Sequence, residues 1–146
     1  MVSVYGRAAT YVVTSARRFG YGPDFRSPPY FVLPRGASDH QLGAAVFDAV
    51  DGFTVLAEEP NADDLARASS ELFAVVGVAN ERAFERGASL VCVEERRGRW
   101  VVQPWDRRRG YWVPLEEQTF VKLSKPSASE VGAAVRSGFV TIRGAA

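Results

Sequence analysis

Phe31-Val32-Leu33-Pro34-Arg35-Gly36-Ala37-Ser38-Asp39-His40-Gln41-Leu42-Gly43-Ala44-Ala45-Val46 decides the fold, because the chain says it twice. The second copy is Phe120-Val121-Lys122-Leu123-Ser124-Lys125-Pro126-Ser127-Ala128-Ser129-Glu130-Val131-Gly132-Ala133-Ala134-Val135. A shift of 89 positions (Ser38 to Ser127) superposes the two without a gap. Phe-Val, the Ser before the helix and [Leu/Val]-Gly-Ala-Ala-Val all coincide. Each copy reads as a short apolar strand, a turn and a helix. Ser38 with Gln41, and Ser127 with Glu130, have the spacing of a capping box, in which the N-cap and N3 side chains each satisfy the other residue's backbone N–H. Leu42, Ala45, Val46 and Ala49 then share one helical face, as do Val131, Ala134 and Val135. Gly inside a helix costs about 1 kcal/mol relative to Ala. Gly43 and Gly132 therefore predict that the sheet or the other helix comes very close.

The remaining segments read around these copies. Thr10 to Ser15 is β-branched and aromatic, a first strand. Arg17 to Pro29 carries Gly20, Gly22, Pro23, Pro28 and Pro29 and reads as a loop, with Phe19, Tyr21 and Phe25 expected to tuck into the core. Gly52 to Ala57 is a short strand or an ordered linker. Asn61 caps a helix through Leu65, Leu72, Phe73 and Val76 to about Gly77, and Asn80 caps a shorter one over Glu81 to Arg86. Ser89 to Glu94 and Arg99 to Pro104 form a hairpin around Glu95-Arg96-Arg97-Gly98. Trp105 to Pro114 reads as an Arg- and Trp-rich loop, and Val140 to Arg143 as a short final strand. The expected fold is α+β, a mixed or antiparallel sheet of about five or six strands with helices packed on it. Residues 1–146 are read as a single domain.

Composition removes several function classes. With 146 residues and a formal net charge of +1, the chain lacks the strongly basic balance of a nucleic-acid backbone binder. Its single cysteine, Cys92, allows no internal disulfide and fits a reducing compartment. Neither a leader-like apolar run nor a membrane-length apolar stretch is visible, so a cytoplasmic location is expected. His40 is the only histidine and sits in a helical first turn, while Cys92 lies mid-strand between valines. No metal-ligand spacing, phosphate loop or catalytic constellation is present, so no cofactor is expected and the chain is not read as an enzyme. The acidic pairs Glu58/Glu59 and Asp63/Asp64 lack the rest of a cation loop.

Two surface features remain. Glu58, Glu59, Asp63 and Asp64 form one acidic stretch, suited to a basic partner cleft or simply to a helix N-terminus. Trp105-Asp106-Arg107-Arg108-Arg109-Gly110-Tyr111-Trp112 interleaves arginines with aromatics, the composition of protein hot spots and of nucleic-acid stacking sites. Alternatively, its tryptophans reach back into the core.

In chain order, these parts resemble the immunity proteins of bacterial contact-dependent growth inhibition systems. The resemblance is carried by Pro28-Pro29-Tyr30 to Leu33 and Ser38-Asp39-x-x-Leu42-Gly43-x-Ala45-Val46. It continues through Glu81-Arg82-Ala83-Phe84, the Val91-Cys92-Val93 strand, Arg99-Trp100-Val101-Val102-Gln103-Pro104 and Ser129-Glu130-Val131-Gly132-Ala133-Ala134-Val135-Arg136. Histidines after the hairpin proline and a cysteine near the final helix, which the family carries, are replaced here by Trp105-Asp106-Arg107 and by Ser137-Gly138-Phe139. The resemblance implies a non-catalytic cytosolic protein. It would bind the C-terminal toxin domain delivered by a neighbouring cell, often a nuclease acting on tRNA. Read from composition, the contact residues are Glu58, Glu59, Asp63, Asp64, Trp105, Arg107, Arg108 and Trp112. The alternative is a small RNA-binding module built on the 105–112 segment.

Overall fold

The computed structural model describes residues 1–145. Eight strands form one sheet: β1 (Val2–Gly6), β2 (Thr10–Phe19), β3 (Asp24–Pro34), β4 (Thr54–Leu56), β5 (Ser89–Arg96), β6 (Arg99–Arg108), β7 (Tyr111–Pro114) and β8 (Val121–Ser124). Four helices accompany them: α1 (Asp39–Asp51), α2 (Ala62–Val76), α3 (Glu81–Glu85) and α4 (Ala128–Ala145). The main path runs β3-β2-β1-β5-β6-β7; β4 pairs with β2 in parallel, and β8 pairs with β6. The α+β reading holds, with six strands on the main path and two more beside it.

The duplication reaches further than the two quoted stretches. β1 and β5 are antiparallel neighbours, with Ser3 opposite Cys92, Val2 opposite Val93 and Val4 opposite Val91. The shift that carries Ser38 onto Ser127 also carries Ser3 onto Cys92, Val2 onto Val91 and Val4 onto Val93. Ser3 thus pairs with its own image while Val2 and Val4 each pair with the other's, the signature of a local two-fold axis through the centre of the sheet. The helices obey the same axis. A Cβ built on Gly43 would stand 1.6 Å from the carbonyl oxygen of Ala128, and one on Gly132 would stand 1.9 Å from that of Asp39. Asp39 and Ala128 are themselves counterparts, so the close approach is α1 against α4, made reciprocally.

α1 and α4 cover one face of the sheet, where Val4, Val13, Leu42, Val46, Val91, Val102, Val131 and Val135 form the first core cluster. Both capping boxes are present, Ser38 with Gln41 and Ser127 with Glu130. On the other face Tyr5, Val12, Leu72, Phe84, Leu90 and Cys92 form a second cluster under α2 and α3. The Tyr30 hydroxyl donates to the Ala68 carbonyl at 2.9 Å, fastening α2 to β3.

Four local expectations are corrected. Residues 17–29 are not a loop: β2 continues to Phe19, β3 starts at Asp24, and only 20–23 turn. Pro28 and Pro29 are tolerated because β3 is an edge strand and its register shifts at that point. Tyr21, at the hairpin tip, is fully exposed rather than tucked inward, and Phe19 is exposed as well. Residues 105–114 are a second hairpin, in which Arg109 (φ 51°) and Gly110 (φ 86°) form the same two-residue Arg-Gly turn as Arg97 (φ 53°) and Gly98 (φ 80°). Finally, 140–143 continue α4, because Val135, Phe139 and Ile142 recur on the face that packs into the first cluster.

Candidate partner-binding surface

The acidic segment leaves β4 at Leu56 and enters α2 at its cap. Asn61 and Asp64 satisfy each other: Asp64 N–H donates to Asn61 Oδ1 at 2.8 Å and Asn61 N–H to Asp64 Oδ2 at 3.2 Å. Asp64 is therefore committed to the helix start, and Asp63 complements the same N-terminus. Glu58, Glu59 and Asp63 are exposed and form no ion pair among the described residues. Glu58, Glu59 and Asp64 line a groove of roughly 440 Å³ between this segment, β3 and α2. Arg17, Arg26 and Arg67 line it too. The groove is mixed in charge rather than simply acidic. Arg26 is already paired with Glu81 at 2.6 Å.

Beside that groove the sequence reading missed an apolar element. Phe19 is the pairing partner of Leu56, which itself lines the groove. With Tyr21 at the tip and Val55 on the short strand, Phe19 leaves apolar surface in water. Gly20-Tyr21-Gly22-Pro23 carries the signal in retrospect: a tight turn between two strands cannot bury its own tip.

The Arg/Trp segment is organised differently. Glu85 of α3 accepts from Arg107 at 2.6 Å and from the Trp112 indole N–H at 3.2 Å, while the Arg107 guanidinium lies 5.7 Å from the Trp112 ring centre. Trp105 and Trp112 are half-buried against the second core cluster. The Trp105 indole N–H is buried with no acceptor among the described residues. Arg108 pairs with Asp106 at 3.2 Å. The face left outward at this hairpin is Arg108, Arg109 and Tyr111. The acidic groove and the hairpin flank the same layer of α2 and α3, but they do not merge into one cluster. Glu85 had no sequence signal, because its role depends on α3 packing under β7.

His40 is exposed in the first turn of α1, whereas Cys92 is buried in the second cluster. Burial pushes the Cys92 thiol up to about 12, with the nearby Ser3 hydroxyl opposing the rise. The unfolded thiol ionises near pH 9, so between pH 9 and 12 the unfolded chain loses its proton first and stability falls as pH rises. Tyr5, raised by burial in the same cluster, acts in the same direction. At pH 8 a thiol reagent is expected to label Cys92 only at the rate of opening and to label urea-unfolded chain at once. Rapid labelling of the native protein would show that the thiol is not sealed in the second cluster.

Among the described residues, no helix is long and apolar enough to cross a membrane. No family model and no curated protein sequence matches this chain. Solved structures do. A protein of unknown function, NMB0488 from Neisseria meningitidis, superposes with a TM-score of 0.80 at 17% identity, over 97% of this chain and 94% of that one. A chain of the CdiA-CT/CdiI toxin and immunity complex from Yersinia pseudotuberculosis superposes with a TM-score of 0.76 at 17% identity, over 95% of this chain and 94% of that one. At this identity the likeness establishes a shared fold.

Proposed function

We propose that this protein is a cytosolic immunity protein that neutralises a toxin domain by stoichiometric association, without catalysis. The observation that carries the proposal is the pairing of an exposed apolar tip with unpaired carboxylates. Phe19, Tyr21 and Val55 lie beside Glu58, Glu59 and Asp63, the combination of anchor and charged rim on which protein interfaces are built. The shared fold with a chain of a toxin and immunity complex supports the same reading. So does the sequence resemblance. In this proposal Tyr21 supplies the anchor. Glu58 and Glu59 face basic residues of the partner, which for a nuclease are the residues that hold substrate phosphates. The Arg108, Arg109 and Tyr111 face is a second contact.

The experiment is co-purification of tagged protein with the product of the open reading frame immediately upstream. A 1:1 complex that survives high salt, together with loss of the partner's toxicity, is the expected result. Glu58→Lys/Glu59→Lys should slow association about tenfold at low salt and flatten its salt dependence, because the pair acts by long-range steering. Tyr21→Ala should cost roughly 2 kcal/mol of affinity with no change in melting temperature, since the ring packs on nothing in the free protein. If both variants bind like the wild type, the interface lies elsewhere.

A further inference from the structure

The groove between β3, α2 and the segment after β4 carries charge of both signs, sorted along its length. β4 runs parallel to β2, with Arg17 opposite Thr54 and Phe19 opposite Leu56. Glu58 and Glu59 follow that last pair on the side of the Tyr21 tip, and Asp64 joins them from the start of α2. Arg17 lies on the other side, two residues before Phe19. There α2 carries Arg67 and Glu71 along the groove on either side of Ala68, whose carbonyl takes the Tyr30 hydroxyl. Burial pushes the Tyr30 phenol up, Glu71 adds to the rise, and Arg17 and Arg26 oppose it, so the charges of all three act at that hydroxyl. Arg26 is paired with Glu81, and Asp64 closes the capping box. Arg17, Arg67, Glu58, Glu59 and Glu71 line the same groove, yet none of them forms an ion pair among the described residues.

An occupant complementary to this groove brings a cation to the tip end and an anion to the inner end. A nucleic acid has no cation for Glu58 and Glu59. A protein segment with a basic and an acidic side chain has both. We propose that the groove receives such a segment of the toxin domain, its basic side chain against Glu58 and Glu59 and its carboxylate against Arg17, with Arg67 at the rim. This rests on the toxin-binding reading and adds to it a second recognition element of opposite sign. Arg17 is half-buried in the free protein and loses its remaining water when the groove is covered. A cation buried without a counter-charge is strongly unfavourable, whereas a guanidinium fork matches a carboxylate with two parallel bonds. A toxin that lacks the acid is thereby rejected, which makes Arg17 a determinant of which toxin is bound.

The test measures association and dissociation rates between the full-length protein and the toxin domain encoded immediately upstream. Arg17→Gln should speed dissociation about thirtyfold with little change in association, the behaviour of a buried charge pair that has lost one member. Its melting temperature should not move, because Arg17 forms no ion pair in the free protein. Arg67→Gln, at an exposed position, should have a smaller effect. Arg17→Glu is then measured against toxin variants in which each carboxylate in turn is changed to Lys, and one of them should restore the lost affinity. Wild-type dissociation of Arg17→Gln, a loss confined to its association rate, or an Arg17→Glu defect that no charge-reversed toxin repairs would overturn the groove proposal and leave the toxin-binding reading standing. Absence of any complex with the wild-type protein would overturn both.

Discussion

Phe84→Ala is expected to lower stability by about 4 kcal/mol, in the range for emptying a large aromatic site, and to loosen one face of the sheet selectively. Phe84 is fully buried, and it is the only buried residue of the five-residue α3. Its ring meets Tyr5 edge-on at 4.8 Å and lies 6.1 Å from Phe73 of α2. The Arg26 and Arg7 guanidiniums approach it at 5.3 and 5.6 Å. Truncation removes the apolar contacts, leaves a cavity and strips two cations of an aromatic neighbour. A helix this short cannot persist without its anchor, because one turn of helix does not repay its own nucleation. Urea unfolding gives the total loss. Amide exchange gives its location, with protection falling first over 62–85 and last over α1 and α4. A loss under about 1 kcal/mol, far below the range for such a site, or equal deprotection of α1, would show that α3 is not what seals the second face.

What the sequence made legible was local. Capping chemistry and apolar periodicity placed α1, α2, α3 and α4 within a few residues of their starts, and the Ser89–Pro104 hairpin declared itself through flanking valines. The two misread hairpins share one cause: strands that continue past their apolar core into charge. β2 runs on through Arg17 and Arg18, and β6 through Asp106, Arg107 and Arg108, because pairing with β3, β4 and β7 continues there. Pairing between distant segments leaves no trace in a local pattern. The same Arg-Gly turn was recognisable between valines and hidden between arginines. β1, the centre of the sheet, lies at positions that local reading treats as a mere beginning. For the candidate surface, the exposure of Glu58, Glu59 and Asp63 was legible. Asp64 could have been set aside, since its spacing from Asn61 already marked it as half of a capping box. The fixing of Arg107 and Trp112 by Glu85 could not have been read, because those residues are neighbours only in the folded chain. The duplication also takes in both edge hairpins. β1, β2, β3 and α1 correspond to β5, β6, the pair β7 and β8, and α4, so that the β6–β7 hairpin is the image of the β2–β3 hairpin. Residues 53–88 have no counterpart among the described residues, and that segment, with the outer ends of the two hairpins, carries the proposed toxin-binding surface.

The duplicated scaffold makes its own sharp prediction. Gly43→Ala is expected to destabilise by about 3 kcal/mol, at the upper end for overpacking, although Ala is the better helix former by about 1 kcal/mol. The sign follows from what the new methyl meets. At 1.6 Å from the Ala128 carbonyl oxygen, and 2.5 Å from its carbon, it strikes helix backbone, which no rotamer change can move aside. The helices must separate. Yet α4 is also tied to the start of α1 by Arg136, which donates to Asp39 at 2.6 Å and to the Ala37 carbonyl, so separation strains those bonds as well. Gly132→Ala makes the reciprocal clash with Asp39 and should cost a similar amount. The double variant decides whether the crossing is one shared contact. Once either methyl has driven the helices apart, the second finds its clash already relieved, so the double loss should fall well short of additive, by more than the ~0.5 kcal/mol scatter of independent sites. Gly144→Ala, with open space around it, should leave stability unchanged or slightly raised. Thermal unfolding of the four variants checks all of this. Additive losses at 43 and 132 would mean that the two glycines serve separate contacts, and the two-fold crossing of α1 and α4 would have to be abandoned.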